Sequence, residues 1–423
     1  MKTVISTFLK HPLISGSSVV FIGSFISNIL AYLFNLSMIR LLPVTDYGLL
    51  TTLTSLTVLF GIFQLSLIGI FAKFSSKYSS SNDKIGLNRL TRSGIKLVST
   101  IAIILFVGLI LLTPFFVNLL HISQSILLIL IFISISFSII TSLPFGILQG
   151  QMKFWSVSIL YILSPMIKLI LGVIMVWMGY SLIGVLNTIV VASLVPAIIG
   201  FILINKKDMK KSVDKFNYDN FFQEFKKYSL YFFLASLGIT IITNADIMLI
   251  RTFFSNEVSG QYAALSLMGK AIFYFTSPIY FVFFPLIAHR NEKNQPYGKV
   301  LLLGIALIAC ITGTITVFYY LFPEIVLKVF APRQEYKVLI PYVGQFALYI
   351  TIFSVANIFN HLFLSLNKVR VAIINLFIAG FFTLMVFFFH NSLQQVINIL
   401  LVSASLLLLF YILYYYHLQN GKS

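Results

Sequence analysis

Three ionisable side chains, Lys168, Asp246 and Lys270, lie deep inside long apolar stretches of a 423-residue chain in which only 9% of residues are charged. A charge at the middle of a hydrocarbon layer costs about 2.5–3.5 kcal/mol on an insertion scale, so each one needs a counter-charge or a wet cavity. Two lysines against one carboxylate favour an anionic ligand. Lysine supplies a compact point charge for phosphate oxygens, and the guanidinium fork of Arg40 and Arg251, at the ends of two apolar stretches, matches them in pairs. An anionic group such as a phosphate fits that set. Asp246 offers different chemistry, as a titratable carboxylate able to take a proton or a sodium ion from a gradient.

Neighbouring residue types support a polar interior. Tyr262, Ser266, Lys270, Tyr274 and Ser277 recur at spacings of 4, 4, 4 and 3, which places them on one helix face. Tyr161, Ser164 and Lys168 form a shorter version beside Pro165. Ser17, Ser24, Asn28 and Asn35 mark a third stripe, and Ser236, Thr240, Thr243 and Asp246 a fourth. Such stripes would be penalised against lipid and are expected to converge on a water-filled interior. The competing reading is plainer: Ser and Thr in membrane helices often bond to their own backbone, and small polar residues hold helices together. Asp246 and Lys270 could likewise form a structural ion pair, and Arg40 and Arg251 interface anchors. In the stretch TNADIMLIR, Asp246 and Arg251 are five residues apart, about 500° of helix, so they point different ways and serve separate tasks.

These residues must be held by membrane helices. Hydrophobic residues make up 59% of the chain, and mean hydropathy is +0.99. Apolar blocks long enough to cross about 30 Å of hydrocarbon predict an all-α integral membrane protein. We place roughly twelve spans at about 14–39, 47–72, 97–118, 124–147, 156–178, 181–204, 228–250, 259–287, 300–322, 338–365, 371–389 and 393–416. With the N-terminus in the cytoplasm, 22 Lys and Arg residues fall inside and 5 outside, so both termini are read as cytoplasmic. The net charge of +18 then reflects topology and contact with membrane lipids, and calls for no nucleic acid. The single cysteine, Cys310, allows neither a disulfide framework nor a cysteine metal site, and no phosphate-cradling glycine loop is present. No cofactor or metal is expected.

The polar segment 205–227 divides the chain into two six-helix bundles, 1–204 and 228–423, and the halves carry traces of a repeat. MIRLLPVTDYGLL from Met38 aligns with LIRTFFSNEVSGQYAAL from Leu249, matching Arg40 to Arg251 at an offset of 211 and Gly48 to Gly260 at 212. Asn35 and Asp246 then become equivalent positions.

RLLPVTDYGLL between the first two spans, ILQGQMKFW after the fourth, SGQYAAL opening the eighth and FPEIVLKVFAPRQEY before the tenth resemble, in order and spacing, polysaccharide transporters of the multidrug/oligosaccharidyl-lipid/polysaccharide exporter superfamily. The resemblance covers essentially the whole chain; Ala331 stands where the family carries glycine. It implies a MATE/MOP-like fold of two pseudo-symmetric bundles around an alternately opening cavity. It further implies a Wzx-type flippase, not an enzyme, moving undecaprenyl-diphosphate-linked oligosaccharide for O-antigen, capsule or a related polymer. Such a protein would act in the bacterial cytoplasmic membrane, coupled to a proton or sodium gradient and working beside a polysaccharide polymerase and chain-length proteins. On this reading Lys270, Lys168, Arg40 and Arg251 contact substrate, Asp246 couples the ion, and Asn28, Asn35, Ser266 and Tyr274 line the cavity. Two alternatives compete: a multidrug or cation antiporter of the same superfamily, which would need cavity carboxylates, and a membrane polysaccharide polymerase, which would need a longer outer loop than 323–337.

Overall fold

The computed structural model describes residues 12–204, 218–293, 295–366, 368 and 370–420, and among them it is helical throughout, without strands. The helices are α1 (Pro12–Leu41), α2 (Val44–Ser80), α3 (Lys84–Leu111), α4 (Thr113–Leu119), α5 (Ser125–Gly150), α6 (Phe154–Trp177) and α7 (Ser181–Leu203). They continue as α8 (Tyr218–Phe253), α9 (Asn256–Glu292), α10 (Gly298–Leu321), α11 (Pro323–Phe330), a 3₁₀ turn Gln334–Leu339, α12 (Ile340–Ser365), α13 (Val371–Phe388) and α14 (Leu393–Asn420). Twelve helical segments among the described residues are long and apolar enough to span a membrane.

Local chemistry explains the departures from the expected boundaries. The third span ends at Leu111 because Pro114 has no N–H to donate and instead opens α4 near its first turn. Pro323 opens α11 in the same way. The polar segment expected as a linker is partly helical, since α8 begins at Tyr218. There the sequence puts Asp219 in the first turn, where the helix dipole favours an acid, with Phe222 and Phe225 three apart. Residues 205–217 of that linker lie outside the described residues. Ala331 has φ −136°, an ordinary extended backbone that does not require glycine.

The chain divides into two compact units, one made of residues 1–41 and 56–233 and the other of 42–55 and 234–423. Residues 42–55, expected within the first bundle, therefore pack with the second unit. The reason is a close backbone approach: a Cβ built on Gly260 would fall 2.0 Å from the Val44 carbonyl oxygen, and one on Gly48 would fall 2.6 Å from the Gly260 nitrogen.

Packing inside each unit follows the same order. In the first, α1 packs on α6, α3 on α5, α5 on α7 and α6 on α7. The second repeats three of these as α10 on α12, α12 on α14 and α13 on α14. The fourth counterpart, α8 on α13, shows at Gly238, where a Cβ would meet Asn375 at 2.6 Å. Small residues again permit the approach where α5 lies on α2, because Gly146 and Gly150, one turn apart, would meet Phe71 and the Ala72 carbonyl at 2.4 Å each. The helix that opens each pair is reached through a two-residue link, Leu42–Pro43 before α2 and Phe254–Ser255 before α9, and both helices carry an acid in the first turn, Asp46 and Glu257. The sequence repeat is thus present in the folded chain as a repeat of packing.

Candidate functional site

In the second unit, Asp246 on α8 has Tyr262, Lys270 and Tyr349 in its surroundings. Its carboxyl is buried, with 3% of the residue exposed. Oδ2 accepts a hydrogen bond of 2.6 Å from the hydroxyl of Tyr262 on α9, whereas Oδ1 is buried without a partner. Tyr349 on α12 lies close enough to act electrostatically on the same carboxyl, and its hydroxyl points to the Ile242 carbonyl at 3.5 Å. Phe346 backs this arrangement, standing edge-on to Tyr262 at 5.8 Å and to Tyr349 at 5.3 Å. Gly269 makes room for it, since a Cβ there would come within 2.4 Å of the Phe346 ring.

Lys270 enters from two turns further along α9 on the Tyr262 side. It acts electrostatically on Asp246. Among the described residues no ion pair is closed at its ammonium. Lys270 is surrounded by protein yet keeps partial accessible surface. Lys168 on α6 in the first unit has the same partial exposure, and no acidic group among the described residues acts on it.

The other expected site residues fare differently. Arg40 is exposed while its repeat partner Arg251 is buried, with 2% accessible, so the two matched arginines occupy unlike environments. Arg251 is not the exposed interface anchor that its position at a span end suggested. Asn28 is exposed, and Asn35 spends its amide on the Ala31 carbonyl at 2.9 Å. Ser266 is buried and Tyr274 partly so. The Ser and Thr stripes follow the plainer reading: Ser24 bonds to Phe21, Thr240 to Ser236, Thr243 to Ile239 and Ser277 to Tyr274, all backbone carbonyls on the same helix at 2.7–2.9 Å. Ser17 lies outside the residues whose side chains are described.

Tyr262 was legible only as a member of the Lys270 stripe; its bond to Asp246 depends on how α8 and α9 pair. A second polar cluster left no such trace. Tyr411 donates to Asn375 Oδ1, and Asn375 Nδ2 donates to Asn360 Oδ1 at 3.3 Å, joining α14, α13 and α12 through buried side chains. These bonds tie three helices together through their side chains, so the trio reads as helix-to-helix attachment. No cluster of three or more metal-ligating side chains occurs among the described residues.

The fold is similar to those of solved membrane proteins. The fold matches an inward-facing MATE-family multidrug resistance transporter of the MOP superfamily with a TM-score of 0.73 and 12% identity, covering 92% of this chain and 93% of the other. It matches the lipid II flippase MurJ in an inward closed conformation with a TM-score of 0.69 and 12% identity, over 93% and 86% of the two chains. At such identity the likeness establishes the fold, a multi-pass membrane transporter fold. Residues 13–291 match the family described as polysaccharide biosynthesis protein, and the chain belongs to that family. An uncharacterized membrane protein of Methanocaldococcus jannaschii is 29% identical over 199 residues, 44% of this chain. The chain spans about half the length of that relative, 46%.

Proposed function

We propose that this protein is a flippase for polyprenyl-diphosphate-linked oligosaccharide, in the first instance the undecaprenyl-diphosphate-linked repeat units of O-antigen, capsule or a related polymer. The observation that carries the reading is that Lys168 in the first unit and Lys270 in the second are span-embedded lysines that keep accessible surface, against a single buried carboxylate, Asp246, among the described residues. A cation excess among the span-embedded ionisable residues suits a substrate that brings its own negative charge. It does not suit the cationic drugs of a multidrug antiporter. Family membership supports a role in polysaccharide biosynthesis, and the lysine and arginine distribution supports a cytoplasmic-membrane location with both termini inside. Arg40 and Arg251 remain proposed contacts at the outer ends of their spans, and Asp246 the proposed proton or sodium site. A polymerase and chain-length proteins are the proposed partners.

The test is transport in proteoliposomes containing a fluorescent lipid-linked oligosaccharide, scored by its accessibility to an impermeant quencher. Wild type should move the label between leaflets, and Lys270→Ala should abolish movement at near-normal protein level. Lys270→Arg should keep part of it, because the charge survives with altered geometry. Rescue of Lys270→Ala by Asp246→Asn would show that Lys270 serves only to neutralise the carboxylate, and would remove it from the substrate site.

A further inference from the structure

We infer that α3 carries a binding site for an anionic phospholipid of the cytoplasmic leaflet, with the headgroup at Arg92 and Lys96 and an acyl chain along Ile103, Ile104 and Val107. The inference lies within the first unit and does not depend on what the protein transports. It takes from the sequence only the charge-based orientation, which places the turn between α2 and α3 in the cytoplasm.

The two sides of α3 divide sharply. Leu87, Leu90, Val98 and Ala102 are buried in a core shared with Phe71 of α2 and Leu143 of α5. Gly94 brings that side in closely, since a Cβ there would fall 2.5 Å from Leu143 and 3.2 Å from Phe71. This approach fixes the rotation of the helix. The opposite side is left exposed: Arg92, Lys96 and Thr100 are open to the surroundings, and Ile103, Ile104 and Val107 are 62%, 67% and 50% exposed. Positions 92, 96, 100, 103 and 107 follow one another at spacings of 4, 4, 3 and 4, a single helix stripe.

The order along that stripe matches the order of groups in a phospholipid. Arg92 and Lys96 are one turn apart, so two cations about 6 Å apart along the axis can share one phosphate. Thr100 follows about 6 Å further in, where the headgroup and ester layer of about 5–8 Å per leaflet gives way to hydrocarbon. Ile103 to Val107 lie about 5–10 Å beyond Thr100, inside the about 15 Å of hydrocarbon that one leaflet supplies. Gly108 stands one turn from Ile104, and nothing lies within 4 Å of a Cβ built there. On helix propensity alone glycine is a poor choice for such a position. Here it leaves a notch beside Ile104 in which an acyl chain can lie against the backbone.

Charge selects the occupant. From Lys73 to Lys96 the sequence holds six basic residues and one acid, Asp83. That acid is engaged at the start of α3, where its Oδ1 accepts from the Gly86 N–H at 2.8 Å. A zwitterionic headgroup would bring a further cation to this basic segment, whereas an anionic one brings none.

Lipid binding to the purified full chain tests the assignment. In native mass spectrometry the first bound phosphatidylglycerol should be held at least about fivefold more tightly than phosphatidylcholine with the same chains, the difference expected of one basic residue at a membrane surface. Arg92→Ala combined with Lys96→Ala should abolish that preference. Lys293→Ala combined with Lys299→Ala removes the same charge from exposed positions of the second unit and should leave it intact. Position along the helix is read separately, in a background where the two native tryptophans, both exposed, are replaced as Trp155→Phe and Trp177→Phe. The indole of Ile104→Trp should then be quenched more strongly when phosphatidylglycerol is the brominated component of an equimolar phosphatidylglycerol and phosphatidylcholine bilayer than when phosphatidylcholine is. Equal quenching by the two lipids overturns the inference, as does a preference that survives the Arg92 and Lys96 changes or that falls equally in the Lys293 and Lys299 control.

Discussion

Gly48 and Gly260, equivalent positions of the internal repeat, lie against each other backbone to backbone where the first turns of α2 and α9 cross. A crossing this close leaves no room for any side chain on either helix. The motifs DYGLL and SGQYAAL are therefore read, at their glycines, as a packing requirement.

Gly260→Ala should accordingly destabilise the fold. The new methyl would overlap the Val44 carbonyl oxygen, which is backbone and cannot swing aside, so the penalty belongs at or above the upper end of the about 1–3 kcal/mol typical of overpacking. Gly61→Ala is the control, because nothing lies within 4 Å of a Cβ there. Thermal unfolding in detergent should show a clear drop for the first and little change for the second; equal behaviour would refute the close approach.

The matched arginines should behave unequally. Arg40 is exposed, and Arg40→Ala should change stability by less than about 0.5 kcal/mol. Arg251→Ala removes a buried side chain and the packing of its stem, so a loss of about 1–3 kcal/mol is expected. Chemical or thermal denaturation of the two purified variants decides it. Similar stabilities would mean that the burial of Arg251 carries no structural weight.

Most of the polar stripes should prove tolerant. Ser24→Ala, Thr240→Ala and Ser277→Ala each delete a hydroxyl that bonds only to its own helix, where the i−3 or i−4 carbonyl already has a backbone donor or its equivalent. Transport and thermal stability should stay near wild type for all three. A loss of transport at unchanged stability in any of them would return that residue to the substrate path.

The span count and the six-plus-six repeat were legible because hydrocarbon thickness and the insertion cost of charge act on sequence directly. The breaks at Pro114 and Pro323 were available in principle from proline chemistry but lay inside apolar runs that averaged them away. Lys270, Lys168 and Asp246 stood out by type alone. The partner of Asp246 did not, since Tyr262 is 16 residues distant and its role follows from the pairing of α8 with α9. Self-bonding of Ser and Thr and aiming at a cavity give the same spacing on a helix, so the stripes could not decide between them. The unlike environments of Arg40 and Arg251 were equally hidden, because sequence equivalence records ancestry of position while burial depends on what each unit packs around it.

One consequence of the way Asp246 is held is spectroscopic. Among the described residues it is the only acidic side chain buried from solvent, and one of its oxygens already carries a tyrosine hydroxyl. Infrared difference spectra recorded across pH should therefore contain a single carbonyl-stretch band from a protonated carboxyl shielded from water, slow to exchange with deuterium and assignable by its loss in Asp246→Asn. The scarcity of acids in this chain gives it an intrinsic, label-free reporter at the position where ionisation would matter most.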